Sequence, residues 1–211
     1  MKNLLIYGGS FDPPHLGHLN TAIHVQEYFH FQSFIFLPCK QSVLKHQNYA
    51  DAASRIAMLE LMLKNQPEFS ISTREIDRDS PSYMAETLRT YREELGATYS
   101  ITLLLGMDAF LGLPHWHQWK TILKLSNLLV LKRNTTIEQE IPHELKLLLS
   151  RQQCDNPLEL KASPHGKIAF FDAGDYPISS TEIRRKIRQN EDVRHDLSSD
   201  VYHFIKKFHL Y

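Results

Sequence analysis

The chain has 211 residues, 42% of them hydrophobic, and this length suits one well-packed domain, 1–211, better than two independent domains. Lysine and arginine together number 24, and aspartate and glutamate also number 24, so no net positive charge supports a general nucleic-acid binder. Cys39 and Cys154 lack the spacing of a metal-binding or redox pair, so we expect ordinary thiols. The opening apolar run at 4–7 is too short for a signal or membrane segment, which favours a cytoplasmic protein with no membrane partner.

Short apolar runs alternate along the chain with longer segments of helical period. The predicted buried strands are 3–7, 33–37, 69–72, 100–105, 127–131 and 167–171. The predicted helices are 16–29, 53–64, 82–95, 115–124, 179–188 and 196–208. We interpret 133–166 as a surface excursion with one helix around 142–152, and 189–211 as a helical tail. Crossovers of this length predict an α/β fold with a doubly wound parallel sheet, helices on both faces, and ligands beyond the carboxyl ends of the strands.

The segment GGSFDPPHLGH at 8–18 follows the first predicted strand directly. Paired glycines at Gly8 and Gly9 allow the backbone to approach a phosphate without an intervening side chain. The next helix begins near His15, so its unpaired N–H groups and positive dipole end face the same crevice. Since His15 and His18 are three residues apart, both imidazoles project from one face of the first helical turn. The segment therefore predicts an anion site.

Each part of this segment has a simpler interpretation. A glycine pair alone is most often a turn, and an isolated His-x-x-His is more often structural or metal-binding. The unbroken order of the parts favours a phosphate role, in which Gly17 leaves room for phosphate oxygens. A zinc site lacks an obvious third ligand, and a dehydrogenase fingerprint lacks its third glycine.

The segment resembles the phosphate-binding turn of the nucleotidyltransferase superfamily, whose hallmark is His-x-Gly-His after the first strand of a Rossmann-like fold. The resemblance implies the nucleotidyltransferase fold and catalytic roles for His15 and His18 at the α-phosphate of ATP. It also implies ATP contacts for the residues that precede them, which are Gly8, Gly9, Ser10 and Phe11.

A second turn, PISSTEIR at 177–184, follows the last predicted strand and opens another helix. Ser180 or Thr181 can cap this helix while neighbouring N–H groups face an anion, and Arg184 lies one turn further on. Without its context, the stretch reads as an ordinary helix start. It resembles the Ile-Ser-x-Thr-x-x-Arg element of the same superfamily, which implies a catalytic role for Arg184 and ATP contacts for Ile178, Ser179, Ser180 and Thr181.

The segment PSYMAETL at 81–88 resembles the Pro-Ser-Tyr-Thr-x-x-Thr-Leu element of nicotinate mononucleotide adenylyltransferases. There the backbone N–H at the fourth position meets the pyridine carboxylate, which implies nicotinate mononucleotide contacts for Tyr83 and Met84. Met84 departs from the usual threonine, so a backbone contact would survive but any contribution of the threonine hydroxyl would be missing.

Two further segments resemble the same family. LLLGMD at 103–108 resembles its ribose-holding turn, which implies ATP contacts for Gly106 and Asp108. WHQW at 116–119 resembles its Trp-rich helix start, which implies that Trp116 stacks on the pyridine ring and that the His117 N–H reaches the carboxylate. For Trp119, core packing is at least as good an interpretation.

Lys45 occupies the place of a basic residue that the family uses near the phosphates, which implies a catalytic role for it. The family commonly carries Pro-His-Lys or Pro-His-Arg there, whereas this chain has Leu44 in place of the histidine. Arg133 is a weaker candidate for phosphate contact.

Together these resemblances imply transfer of AMP from ATP to nicotinate mononucleotide, giving deamido-NAD and pyrophosphate in NAD biosynthesis, with Mg²⁺ arriving with ATP. Nicotinamide mononucleotide and pantetheine phosphate remain alternative acceptors. A nucleotide-binding regulatory or RNA-interacting protein is the alternative of another class, although the Lys-Met-Ser-Lys-Ser element of class I aminoacyl-tRNA synthetases is missing. The sequence does not indicate an oligomeric state.

Overall fold

The computed structural model describes residues 1–41, 49–132 and 141–211. Within them a six-stranded sheet has the order β3-β2-β1-β4-β5-β6. Its strands are β1 Asn3–Gly9, β2 Ser33–Pro38, β3 Phe69–Ile71, β4 Ser100–Gly106, β5 Asn127–Leu131 and β6 Ile168–Phe171. β1 with β4, β4 with β5, and β5 with β6 pair in parallel. This confirms the predicted α/β fold, and the order of strands reverses between β1 and β4, as in other doubly wound sheets.

The helices follow the predicted order. Their bounds are α1 Leu16–Phe29, α2 Ala52–Leu63, α3 Arg74–Asp77, α4 Met84–Leu95, α5 Met107–Leu111, α6 Trp119–Leu125, α7 His143–Gln152, α8 Ser180–Arg188 and α9 Ser199–Phe208. Two 3₁₀ helices lie at Leu113–His115 and Pro157–Lys161. α7 confirms the helix predicted inside the 133–166 excursion. None of the helices in the described ranges is long and apolar enough to cross a membrane.

Several boundaries differ from the predictions for local reasons. β1 continues through both glycines, to Gly9, instead of ending before them. The helix predicted at 115–124 is a 3₁₀ turn followed by α6, because Gln118 has a left-handed backbone (φ 51°) that interrupts a continuous helix. α3 and α5 were not predicted, since four or five residues are too few to show a helical period.

The chain divides into two compact units. Unit 1 comprises Met1–Gly8, Phe29–Ile35 and Tyr83–Asp175, and unit 2 comprises Gly9–Tyr28, Phe36–Ser82 and Tyr176–Tyr211. The single domain predicted from chain length stays a prediction.

In unit 1, β4 and β5 are buried except at their last residue and β1 is buried over its first four residues, which explains why these strands appear as apolar runs in the sequence. At their amino ends, the buried Asn127 side chain donates to the carbonyls of Leu160 and Ser163. The Arg92 guanidinium, at the C-terminal end of α4, donates to the Leu125 and Pro164 carbonyls. These bonds hold the end of the sheet opposite the predicted site residues.

In unit 2 a buried arginine joins two loops. Arg55 on α2 is fully buried, and its guanidinium donates to the carbonyl oxygens of Ser10 at 2.8 Å and Lys40 at 3.0 Å. A buried cation without such partners would be strongly destabilising. Asp51 caps α2 by accepting from the Ser54 N–H at 2.7 Å, and this hydrogen bond lowers the pKa of Asp51.

Candidate active site

The loop at 9–18 in unit 2 has a strained backbone at Phe11, which adopts a left-handed conformation (φ 48°). Its ring is 1% exposed and contacts the rings of His18 (centroids 5.1 Å apart) and Phe36 (5.6 Å). A Cβ on Gly9 would lie 3.0 Å from the Phe11 ring. The left-handed backbone therefore lies at Phe11 and not at the paired glycines, and Gly9 provides space for the Phe11 ring.

His15 and His18 are stacked at the start of α1, with ring centroids 3.7 Å apart and an interplanar angle of 28°. This confirms that both imidazoles lie on one face of the first turn. The His15 backbone N–H donates to Nδ1 of His18 at 3.3 Å. Because Nδ1 accepts, a neutral His18 carries its proton on Nε2 and can donate a hydrogen bond from that atom.

Gly17 packs closely against protein atoms. A Cβ at this position would lie 3.0 Å from the His15 ring and 3.3 Å from Cβ of Ile178. Packing therefore favours glycine here, and its role in leaving room for phosphate oxygens stays a prediction. The same contact places the predicted ATP-binding residue Ile178 against the start of α1.

The beginning of α8 is joined to the 9–18 loop by side-chain hydrogen bonds. Ser179 is the N-cap and accepts from the Glu182 N–H, so the prediction that Ser180 or Thr181 caps this helix was wrong. Ser180 instead donates its hydroxyl to the Pro13 carbonyl at 2.9 Å, and Thr181 accepts from the Arg184 guanidinium at 3.2 Å.

Arg184 is 6% exposed and lies between the loop and an aromatic ring. Its Nη1 donates to the backbone oxygen of Asp12 at 2.6 Å, and its guanidinium carbon lies 4.3 Å from the centroid of the Tyr49 ring. The adjacent cations Arg185 and Lys186 are paired with the carboxylates of Glu182 and Asp196. The bonds of Arg184 to Asp12 and Thr181 use two of its five N–H groups, and its charge faces carbonyl and ring atoms.

Asp12 connects distant parts of unit 2 and was not among the predicted site residues. Its carboxylate is buried and accepts from the N–H groups of Tyr49 (2.7 Å) and Ala50 (3.1 Å) and from the Tyr211 hydroxyl (2.7 Å). No local pattern reveals these bonds, because the partners of Asp12 are 37 to 199 residues away in sequence.

In unit 1, α4 begins at Met84 with Tyr83 as its N-cap, and Tyr83 provides no side-chain cap. The Glu86 and Thr87 N–H groups bond to the Tyr83 carbonyl. Helix geometry leaves the N–H groups of the first residues, Met84 and Ala85, without acceptors inside the helix. This helix start therefore has the donors and the positive dipole end that suit a carboxylate.

Aromatic rings surround this helix start. The Tyr83 ring stacks on the His117 ring with centroids 4.2 Å apart, and Arg89 of α4 donates to the Gln118 side chain at 3.0 Å. Trp116 is half-buried, and its indole Nε1 is buried with no hydrogen-bond partner among the described residues. Trp119 is half-buried and lines a cavity of about 490 Å³ between α6 and α7.

The carboxyl ends of β1 and β4 are adjacent in unit 1, since Tyr7 pairs with Leu104. A Cβ on Gly8 would lie 3.1 Å from Cε of Met84, so the methionine side chain reaches the end of β1. A Cβ on Gly106 would meet no atom within 4 Å, and Asp108 is exposed in the first turn of α5. Open space at Gly106 is compatible with close approach of a ligand to the backbone.

Two predicted residues, Lys45 and Arg133, lie outside the described residues. In the described ranges, no three or more His, Cys, Asp or Glu side chains are grouped so that they could hold a metal ion.

Residues 6–186 match a family model described as cytidylyltransferase-like. A protein of Legionella pneumophila (strain Paris), described as a probable nicotinate-nucleotide adenylyltransferase, is 43% identical over 211 residues, which are 100% of both chains. The chain belongs to this adenylyltransferase family. A relative with the same description, from Methylococcus capsulatus, is 38% identical over 207 residues and 98% of each chain.

Solved adenylyltransferase structures share the fold. The nicotinic acid mononucleotide adenylyltransferase of Plasmodium falciparum, complexed with NaAD, has a TM-score of 0.73 at 19% identity, covering 100% of this chain and 97% of that one. A putative nicotinate-nucleotide adenylyltransferase of Vibrio parahaemolyticus has a TM-score of 0.63 at 17% identity, covering 98% and 93%. These neighbours agree with the nucleotidyltransferase fold implied by the sequence motifs.

Proposed function

We propose that this chain transfers AMP from ATP to nicotinate mononucleotide, forming deamido-NAD and releasing pyrophosphate in NAD biosynthesis in the cytoplasm. The observation that carries the proposal is the stacked His15 and His18 pair, in which the His15 N–H fixes the ring nitrogen that His18 can use as a donor. Membership of the nicotinate-nucleotide adenylyltransferase family supports the choice of reaction.

ATP phosphates are bound by the 9–18 loop and the start of α8 in this proposal. His18 donates from Nε2 to the α-phosphate, with His15 beside it, and Arg184 balances charge on the β and γ oxygens together with Lys45. The remaining ATP contacts come from backbone and small side chains at Gly8, Gly9, Ser10, Phe11, Ile178, Ser179, Ser180 and Thr181. The ribose is held by Gly106 and Asp108.

The nucleophile is a phosphate oxygen of nicotinate mononucleotide, which is already ionised at neutral pH. It attacks the α-phosphorus in line, and the bond to the pyrophosphate oxygen breaks, without a covalent intermediate on the enzyme. A strong base is not needed, so the chain contributes positioning and donors for the developing charge.

Nucleotidyltransferases generally use a divalent metal with ATP, and in this chain we propose Mg²⁺ bound to the phosphate oxygens of ATP. Phosphate oxygens are hard ligands of the kind that Mg²⁺ prefers, and the ion would offset the negative charge of the triphosphate. Arg184, a buried cation of the chain itself, would offset the same negative charge.

Nicotinate is recognised by donors alone. The Met84 N–H at the start of α4 and the His117 N–H donate to the pyridine carboxylate, Trp116 stacks on the ring, and Tyr83 supports His117 through the observed ring contact. An amide in place of the carboxylate would aim its own NH₂ at these N–H groups and leave buried donors unpaired. We therefore expect nicotinate to be preferred over nicotinamide.

One assay tests the proposed function. The protein is incubated with ATP and Mg²⁺ together with nicotinate mononucleotide, nicotinamide mononucleotide or pantetheine phosphate, and pyrophosphate is measured while the product is identified by mass spectrometry. We expect deamido-NAD with nicotinate mononucleotide as the fastest reaction. A faster reaction with another acceptor would reassign the substrate, and ATP binding without pyrophosphate release from any acceptor would indicate a non-catalytic nucleotide-binding protein.

A further inference from the structure

We infer that Tyr211 is a positioning residue for ATP binding, which acts through Asp12 on Arg184 and the 9–18 loop. The inference rests on the proposed function, because it assumes that this part of unit 2 binds the triphosphate. Tyr211 lies just beyond α9, where His209 adopts a left-handed backbone and the Leu210 N–H bonds to the Ile205 carbonyl. This turn directs the chain back from the end of the helix.

Among the residues that the structure describes, the Tyr211 hydroxyl is one of three donors to the buried carboxylate of Asp12. It lies 2.7 Å from Oδ1 of Asp12, which also accepts from the Ala50 N–H, while Oδ2 accepts from the Tyr49 N–H. Asp12 is only 3% exposed, so water cannot readily replace a lost donor. The hydroxyl is also the only side-chain donor of the three.

The bonds of Asp12 determine where the Arg184 guanidinium lies. Arg184 donates to the backbone oxygen of Asp12 at 2.6 Å and packs on the Tyr49 ring at 4.3 Å. Two of its supports, the Asp12 backbone and the Tyr49 ring, belong to residues that the Asp12 carboxylate holds together, and the third is the Thr181 hydroxyl of α8. A shift of Asp12 would therefore move a cation that we assign to the β and γ phosphates.

The Tyr211 side chain stays protonated, as a hydrogen-bond donor to Asp12 must be. Burial, the hydrogen bond to Asp12 and the charge of Asp12 all raise the pKa of Tyr211 above its usual range, so the phenol stays protonated. Because the pKa is raised in the folded chain, the stabilisation is present below the ordinary tyrosine pKa and is lost only as the pH rises above it. The Tyr211 to Asp12 bond should thus be intact throughout the neutral range.

The decisive variant is Tyr211→Phe, which removes one hydroxyl and keeps the ring. We expect the Kd for ATP, measured by calorimetry without an acceptor, and the KM for ATP to rise about threefold to tenfold. The KM for nicotinate mononucleotide should stay at the wild-type value. Tyr202→Phe is the matched control, because Tyr202 lies on α9 and makes ring contacts with His203 and Lys206. It should bind ATP like wild type.

Asp12→Ala gives a second measurement, since it keeps the backbone oxygen that Arg184 uses but removes the side-chain oxygen that accepts from Tyr211. If both residues act through one bond, Tyr211→Phe should weaken ATP binding much less in the Asp12→Ala background than in wild type. Wild-type ATP affinity and KM in a folded Tyr211→Phe protein would overturn the inference, as would full additivity of the two substitutions. Failure of the proposed function is seen separately, as a wild-type protein that forms no deamido-NAD.

Discussion

The surroundings of the 9–18 loop in unit 2 differ in kind from the start of α4 in unit 1. In unit 2, Asp12, Arg55 and Arg184 are buried charged groups whose hydrogen bonds go to other parts of the same unit. In unit 1, the start of α4 and the rings beside it offer N–H groups and flat apolar surfaces. The first arrangement fixes charges before a ligand arrives, which suits stabilisation of a transition state. The second suits discrimination between ligands of one shape but different hydrogen-bonding groups.

His18 is the proposed donor of unit 2 to the reacting α-phosphate. We expect His18→Ala to reduce kcat by about a hundredfold to a thousandfold, the usual effect of deleting one donor to developing charge. The physical reason is that His18 is held in one tautomer by the His15 N–H and offers Nε2 as a donor. Steady-state rates of pyrophosphate release at saturating ATP and nicotinate mononucleotide measure the change.

His143→Ala is the control for this substitution, because His143 is exposed at the start of α7 in unit 1. It should leave kcat unchanged. A His18→Ala protein with a wild-type circular dichroism spectrum and a kcat within threefold of wild type would remove His18 from the proposed role.

A smaller effect is expected from the ring that we assign to nicotinate. Trp116→Ala should raise the KM for nicotinate mononucleotide about tenfold, since stacking contributes roughly 1–3 kcal/mol per base, while the KM for ATP stays constant. Trp116→Phe retains an aromatic face and should recover most of the affinity. An equal rise in both KM values would indicate that Trp116 supports the fold of unit 1 and has no specific role with the pyridine ring.

The order of strands and helices could be predicted because buried strands and amphipathic helices leave periodic patterns. The predicted segments 16–29 and 127–131 coincide with α1 and β5 to the residue. The placement of His15 and His18 on one face could also be predicted, since it depends on helical spacing. Local sequence determines these features.

Features that depend on distant residues could not be predicted. The left-handed backbone of Phe11 is stabilised by burial of its ring against Phe36, and phenylalanine itself gives no signal for it. Tyr211 lies 199 residues from Asp12, so no motif joins the two. The packing at Gly17 is partly of this kind, since a Cβ there would meet Ile178, far along the chain, as well as the neighbouring His15 ring.

Alanine substitutions at the adjacent glycines Gly8 and Gly9, which belong to different units, should change only the stability of the fold. A Cβ on Gly9 would press on the buried ring of Phe11, so we expect Gly9→Ala to lower the free energy of unfolding by about 1–3 kcal/mol. A Cβ on Gly8 would meet only the terminal methyl group of Met84, which can move away, so Gly8→Ala should lower it by less than about 1 kcal/mol. Chemical denaturation of both variants measures the difference.

Phe11→Leu identifies the cause of that difference. If the new methyl group meets the Phe11 ring, Gly9→Ala should lower the free energy of unfolding by less in the Phe11→Leu background than in wild type, because the smaller side chain leaves space. An equal loss of unfolding free energy in Gly8→Ala and Gly9→Ala would contradict the contact seen at Gly9. So would a loss for Gly9→Ala that is the same in the Phe11→Leu background as in wild type. Glycine at position 9 would then be required by its backbone and not by the ring above it.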